Sequence, residues 1–345
     1  MPMIPGKPIS ILKANWSRLS TSERLRRSSH VVAVVDQTVY IYGGEVEPRK
    51  PLDSQIDVLS LTSNEPKLET KSFDPAPSPR VGTASAVANG RMYLFSGRGG
   101  IDMAPIEEDG AVWSYDPMQS SWTKIDLADT SKPYPPGRSY HCSTSDGENA
   151  IFIHAGCPTK GRLSDLWRFD ISERIWTQLA DAPGPQRGGT SIAYSGGKLY
   201  RMNGFDGTTE QGGSIDVFDI STNTWSTESF PADGNGGPEP RSVCALLSVK
   251  FEGRDKLVTL FGERDPSSLG HAGAGKMLGD VWLYDIGENW WTQIGKDEKD
   301  SVPKPRGWFD ADVVKAQNGG KDNVVIHGGL DENNERLTDV WLLSF

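Results

Sequence analysis

The stretch Arg138-Ser139-Tyr140-His141-Cys142, followed by Ile151-Phe152-Ile153-His154-Ala155-Gly156, Leu166-Trp167-Arg168-Phe169-Asp170 and Ile175-Trp176-Thr177, decides the fold. An arginine opens a strand of small residues and an aromatic-rich strand stops at glycine. A third strand carries Trp before Asp, and a Trp closes the unit. Short β-branched and aromatic runs broken by Gly, Pro, Asp and Asn read as strands, too short and too closely punctuated for helices. The same order recurs at a period of about fifty residues, within the range of repeat architectures built from strands. Its arginines are Arg27, Arg80, Arg138, Arg187, Arg241 and Arg306, and its glycines are Gly43-Gly44, Gly97, Gly156, Gly204, Gly262 and Gly328-Gly329. Six such units predict an all-β chain, a six-bladed β-propeller with four antiparallel strands per blade.

The last unit lacks a strand. It supplies residues 324–327 and 340–343, and the sequence stops at Phe345. Asn15-Trp16-Ser17 has the signature of Ser121-Trp122-Thr123, so an N-terminal strand at about 14–19 is expected to complete blade six and cover its open edge. One propeller is therefore expected over 1–345, because blades share a continuous core. Up-and-down order puts the connections between second and third strands on the same face as the entries to the first strands. Loops on a rigid scaffold are where function sits. The longest of those connections is 263–279, in blade five.

Composition narrows the partners. Of 345 residues, Lys and Arg number 36 against 46 Asp and Glu, a formal charge of -10 that argues against nucleic acid or an anionic membrane. No apolar run reaches membrane-spanning length, and residues 1–8 lack the apolar core of a secretory signal. The cysteines, Cys142, Cys157 and Cys244, are odd in number and have no metal-type spacing. Cys142 and Cys244 read as small apolar fillers. A reduced, cytoplasmic protein is expected.

Chemistry concentrates in the blade-five loop, where Glu263, Asp265 and His271 fall within nine residues. Oxygen and nitrogen donors in an open arrangement suit a borderline cation such as Fe²⁺, although the spacing is equally that of a solvated Gly-rich loop. The six repeat arginines could converge on an anion, but read better as consensus residues that tie neighbouring blades through backbone carbonyls. Arg98 differs, because it directly follows Gly97, the position held elsewhere by Glu45, Cys157, Phe205, Glu263 and Leu330; it is the expected anion contact. His154 and His327 stand where other blades have large apolar residues and read as packing, and His30 and His141 have no nucleophile beside them. Trp308 would wall a small-ligand pocket or pack in the core.

The repeat resembles Kelch. Asn15-Trp16, Arg27-Ser28-Ser29-His30, Tyr42-Gly43-Gly44-Glu45, Gly97-Arg98, Arg187-Gly188-Gly189, Arg241-Ser242-Val243, Pro305-Arg306-Gly307-Trp308 and His327-Gly328-Gly329 are similar, in the same order, to the plant specifier proteins (nitrile-specifier, epithiospecifier and thiocyanate-forming proteins). The resemblance spans essentially the whole chain and implies an iron-assisted lyase that steers an unstable thiohydroximate O-sulfate to a nitrile or related product. It places the family's Glu-x3-Asp-x3-His iron ligands at Glu263, Ser267 and His271, with serine in the place of the aspartate. It also assigns Arg98 to the sulfate and Tyr140 and Trp308 to aromatic pocket walls, while the family's Arg-Asp pair is broken at Gly99. Glu263 and His271 would hold Fe²⁺ with Ser267, Asp265 or water, and the partner would be a small anionic molecule. Two alternatives stand beside this reading: an enzyme of specialised metabolism with another substrate, and a non-catalytic Kelch module that binds a protein partner.

Overall fold

The structure, a computed structural model, describes residues 12–62, 66–270, 273–295, 301–316 and 319–345. Six sheets form the ring, each built on four antiparallel strands; those of blades one and five carry a fifth. The third is Cys142–Ser145, Ala150–His154, Leu166–Asp170 and Ile175–Leu179, as its sequence predicts. Ring closure is also as expected. Asn15–Thr21 pairs antiparallel with Asp339–Ser344, so the outer strand of blade six comes from the other end of the chain. The degenerate fourth strand of blade one is Leu68–Lys71. One blade-edge strand was not foreseen: Leu12–Lys13 runs parallel to the outer edge of blade five, so the N-terminal segment laps blades five and six in turn.

Each closing Trp has a defined partner. Tyr115 faces Trp122, Phe169 faces Trp176, Phe218 faces Trp225, Tyr284 faces Trp291, and Leu343 faces Trp16 in the register of third and fourth strands. The four aromatic pairs have ring centroids 4.9–5.1 Å apart. Such pairs add about 0.5–1.5 kcal/mol each beyond the area they bury. Trp16 thus sits where its signature placed it.

The repeat arginines lock each blade internally. All six are buried, and each Nη1 donates to the carbonyl that ends its own blade's second strand, from Gly43, Ser96, Ala155, Asn203, Phe261 and Gly328. Five of them pair with a carboxylate ahead of or within the third strand: Asp57, Glu108, Asp165, Asp280 and Asp339. Trp113, Trp167, Trp282 and Trp341 donate Nε1–H to four of those acids. The expected tie between blades is therefore made by the arginine main chain, not its side chain. The amides of Gly44, Gly97, Gly156, Gly204, Gly262 and Gly329 donate to the carbonyls of Arg80, Arg138, Arg187, Arg241, Arg306 and Arg27, around the whole ring. Gly44 shows why glycine is required: its φ is +89° and a Cβ there would meet the Ser28 carbonyl at 2.6 Å.

Candidate functional site

The residue after each of these glycines is turned toward the axis by one more bridge. Glu45 pairs with Ser28, Arg98 with Val81, Cys157 with Ser139, Phe205 with Gly188, Glu263 with Ser242, and Leu330 with Gly307. Immediately inside lies a second ring. Ser29, Gly82, Tyr140, Gly189, Val243 and Trp308 all have positive φ, and each donates its amide to the carbonyl of the preceding member, closing a cycle of six hydrogen bonds 2.7–3.1 Å long. A left-handed conformation costs a bulky residue about 1–2 kcal/mol. At Tyr140 and Trp308 the cycle holds that conformation and sends both rings across the axis. Their centroids are 5.2 Å apart, edge to face, from opposite blades. Both rings line the axial channel on one side and a second cavity on the other, so together they form a floor.

Above that floor is a cavity of about 360 Å³. Its wall includes Arg98, Tyr140, Glu263, Ser267 and Trp308, residues drawn from blades two, three, five and six. Pro266, Gly270 and Gly273 also line it, so the long blade-five connection folds over the cavity as a hairpin whose stem pairs Glu263 with Met277 and Arg264 with Lys276. His271 lies outside the described residues. Asp265, offered by the sequence as a substitute ligand, is exposed and paired with Arg264 at 3.3 Å, away from the cavity wall.

Arg98 is half-buried and spends its nitrogens on neutral acceptors. Nε donates to Ser139 Oγ at 2.7 Å, Nη1 to the Met103 carbonyl at 3.2 Å and Nη2 to the Pro158 carbonyl at 3.0 Å. Among the described residues Arg98, Arg49 and Arg162 form no ion pair, although all three line the cavity. Glu263 is buried. Its Oε1 accepts the Gly275 amide at 2.5 Å and its Oε2 accepts Trp308 Nε1–H at 2.8 Å. Burial nonetheless outweighs those bonds and raises its pKa above the usual carboxylate value. Burial likewise drives the Tyr140 phenol well up, so it stays neutral.

Sequence reasoning missed part of the wall. Glu45 accepts the Arg49 amide at 2.6 Å and meets Arg336 at 3.4 Å, and burial raises its pKa. Glu210 is raised by burial first and by the nearby Glu263 charge as well. Arg162 lies over the Phe205 ring, 5.0 Å from its centroid. Glu45, Cys157 and Phe205 could have been found by extending to every blade the post-glycine argument that singled out Arg98. Arg49, Arg162 and Glu210 sit in turns with no periodic signal.

For an Fe²⁺ ion the described donors are Glu263 and Ser267. Each Glu263 oxygen keeps a lone pair beyond the hydrogen bond it accepts, and the Ser267 hydroxyl shares the same wall, which fits an open set of oxygen donors that further ligands must complete. Among the described residues no group of three His, Cys, Asp or Glu is arranged to hold a metal. Three histidines elsewhere are bonded into the scaffold. His154 bonds the Asp165 carbonyl and Arg201, and His327 bonds His30 and the Leu25 carbonyl. Burial lowers the pKa of both well below the usual value. Among the described residues no helix is long and apolar enough to cross a membrane.

Residues 9–182 and 112–318 match the KLHDC2/KLHL20/DRC7 Kelch-repeats domain. The chain belongs to that Kelch family. Among named relatives of this Kelch propeller, an N-(sulfonatooxy)prop-2-enimidothioate sulfolyase of Thlaspi arvense is 26% identical, with 92% of each chain covered. An F-box/kelch-repeat protein of Arabidopsis thaliana is also 26% identical over 94% of this chain, which spans only 56% of that relative's length. The solved structure of YjhT superposes with a TM-score of 0.69, at 16% identity and 97% coverage of both chains, a likeness of fold alone.

Proposed function

We propose that this Kelch propeller is a specifier-type lyase, eliminating sulfate from a small activated metabolite resembling a glucosinolate aglucone to give a nitrile or related product. One observation carries the reading: Arg98, Tyr140, Glu263, Ser267 and Trp308 meet in a single cavity, where Arg98 forms no ion pair among the described residues. The full-length similarity to a protein named as a sulfolyase supports it.

Sulfate gains negative charge as the N–O pair leaves with it; for the nitrile, the C–S pair closes the C≡N bond and the sulfur departs as elemental sulfur. A donor already fixed toward that charge lowers the barrier without reorganising. Arg98 is assigned this role, because Ser139 and two carbonyls hold its fork in place. Tyr140 and Trp308 would wall the organic portion and keep water from it. Glu263 would present its carboxylate to the cavity, its orientation fixed by the Trp308 indole N–H. Fe²⁺ would be held by Glu263, Ser267 and His271, and when bound supplies a Lewis acid for the substrate's sulfur.

The test is turnover of prop-2-enyl glucosinolate with thioglucosidase, with and without added Fe²⁺. Nitrile or thiocyanate should exceed the protein-free control in an Fe²⁺-dependent manner. A product mixture identical to that control, with isothiocyanate alone, removes the assignment.

A further inference from the structure

The residues that follow the blade glycines divide the cavity wall by chemistry. Glu263, Glu45 and Arg98, from blades five, one and two, are charged, whereas Cys157 and Phe205, from the adjacent blades three and four, are neutral. Burial raises the Cys157 pKa, so its thiol stays protonated. Blade four differs on the inner ring as well. Where the other blades place Ser28-Ser29, Val81-Gly82, Ser139-Tyr140, Ser242-Val243 and Gly307-Trp308, it places Gly188-Gly189, so here alone both positions lack a side chain. A Cβ on Gly188 would meet Cys157 Sγ at 2.6 Å, which puts the sulfur directly against the glycine backbone. Phe205 is partly exposed and lines the cavity, and the Arg162 guanidinium covers one face of its ring, 5.0 Å from the centroid. What the ring offers is therefore its other face and its edge. Cys157, the Gly188-Gly189 backbone and Phe205 together make a neutral strip of low relief, and neither Cys157 nor Phe205 takes part in the elimination described above.

We propose that this strip is a subsite for a planar aromatic group on the ligand's organic portion, with Phe205 as the residue that selects it. An aromatic pair, offset-stacked or edge to face, gains about 0.5–1.5 kcal/mol beyond the area it buries. A saturated ring of the same size covers similar area without that gain, and its puckered outline fits a low-relief strip less closely. The cavity, at about 360 Å³, is within the range that holds small ligands. Arg98 and the strip stand on neighbouring blades of one wall, so a single small molecule can present its sulfate to the first and its ring to the second. This deepens the sulfated-metabolite reading, on which it rests for the anionic end of the ligand.

The experiment is calorimetric titration with 2-phenylethyl sulfate, 2-cyclohexylethyl sulfate and the two corresponding uncharged alcohols. Wild type, Phe205→Leu and Phe205→Trp are compared, each checked for an unchanged melting temperature. Wild type should bind the phenyl sulfate about fivefold more tightly than the cyclohexyl sulfate. Phe205→Leu should bring that ratio to about one, and Phe205→Trp should keep it. A wild-type ratio of one or below overturns the subsite. A ratio that persists in Phe205→Leu overturns it too, since the preference then belongs to another aromatic residue of the cavity. Loss of the ratio in both variants alike marks Phe205 as structural support and likewise overturns the proposal. If neither sulfate binds wild type, the sulfate reading fails by itself. A preference for 2-phenylethanol over 2-cyclohexylethanol that Phe205→Leu abolishes then retains the subsite, and its absence removes the subsite as well.

Discussion

The same residue type does opposite work in two zones of this propeller. Arg27, Arg80, Arg138, Arg241 and Arg306 are fully buried, each bonded to a carbonyl and a carboxylate of its own blade. Arg49, Arg98 and Arg162 line a cavity and form no ion pair within hydrogen-bonding reach among the described residues. A buried guanidinium is tolerated when its charge is matched and its donors are used. One left unmatched at a cavity wall keeps its field for a ligand. Position in the repeat therefore separates scaffold from site more sharply than residue type. Arg187 tests the boundary from within. Its blade's acid, Asp216, is taken by Arg201, and burial with that neighbouring charge lowers the Arg187 pKa to about 10.

The comparison breaks first if a scaffold arginine can be removed cheaply. Arg306→Leu would strand Asp339 in the blade interior and should cost about 3–5 kcal/mol in urea unfolding. Arg187→Leu strands no partner acid and should cost only about 1–2 kcal/mol. Equal losses would mean that the carboxylate pairing is not what distinguishes the scaffold arginines. Arg98→Met should do the reverse of Arg306→Leu, leaving the melting temperature unchanged while lowering kcat/KM in the glucosinolate assay by roughly 100-fold. A large loss of stability instead would return Arg98 to the scaffold.

The smallest expected effect concerns acids rather than arginines. Asp310 and Asp312 face the axial channel on the inner strand of blade six, where they accept the Val32 and Val34 amides of blade one. Burial raises their pKa values to about 7 and about 6. Because the folded state then holds protons that the unfolded chain releases near pH 4, this seam is most stable in acid and weakens as pH rises toward 7. Asp339 has the opposite sign. Burial pushes its pKa up, but the Arg306 bond and charge hold it below 3.8, so its contribution is present above that pH and is lost in acid. Asp310→Asn, which keeps an acceptor for Val32, should melt within error of wild type at pH 4 and roughly 1–2 °C higher at pH 8. A gap that stays constant with pH would exclude Asp310 as the source.

Much of this was legible in advance because the repeat writes its geometry at fixed offsets. Trp16 revealed the closing strand because Asn15-Trp16-Ser17 repeats the signature of Ser121-Trp122-Thr123. Arg98 was found because it breaks a pattern at the post-glycine position. Leu12–Lys13 was not found, since a two-residue parallel edge has no periodicity to read. Arg49, Arg162 and Glu210 escaped for a related reason: turn residues of different loops owe their proximity to the curvature of the ring, not to spacing along the chain. Asp265, offered as a substitute ligand, sits in a turn at φ +52° with its carboxylate exposed toward Arg264.

Alone, the sequence determined the number of blades and the closure, because a strand repeat writes its geometry at fixed offsets. Only the folded ring decided that Tyr140 and Trp308 meet across the axis, that Glu263 is held by Trp308, and that three unmatched guanidiniums share one cavity. Those contacts join different blades, and the distance between them is fixed by how six twisted sheets close around a common axis.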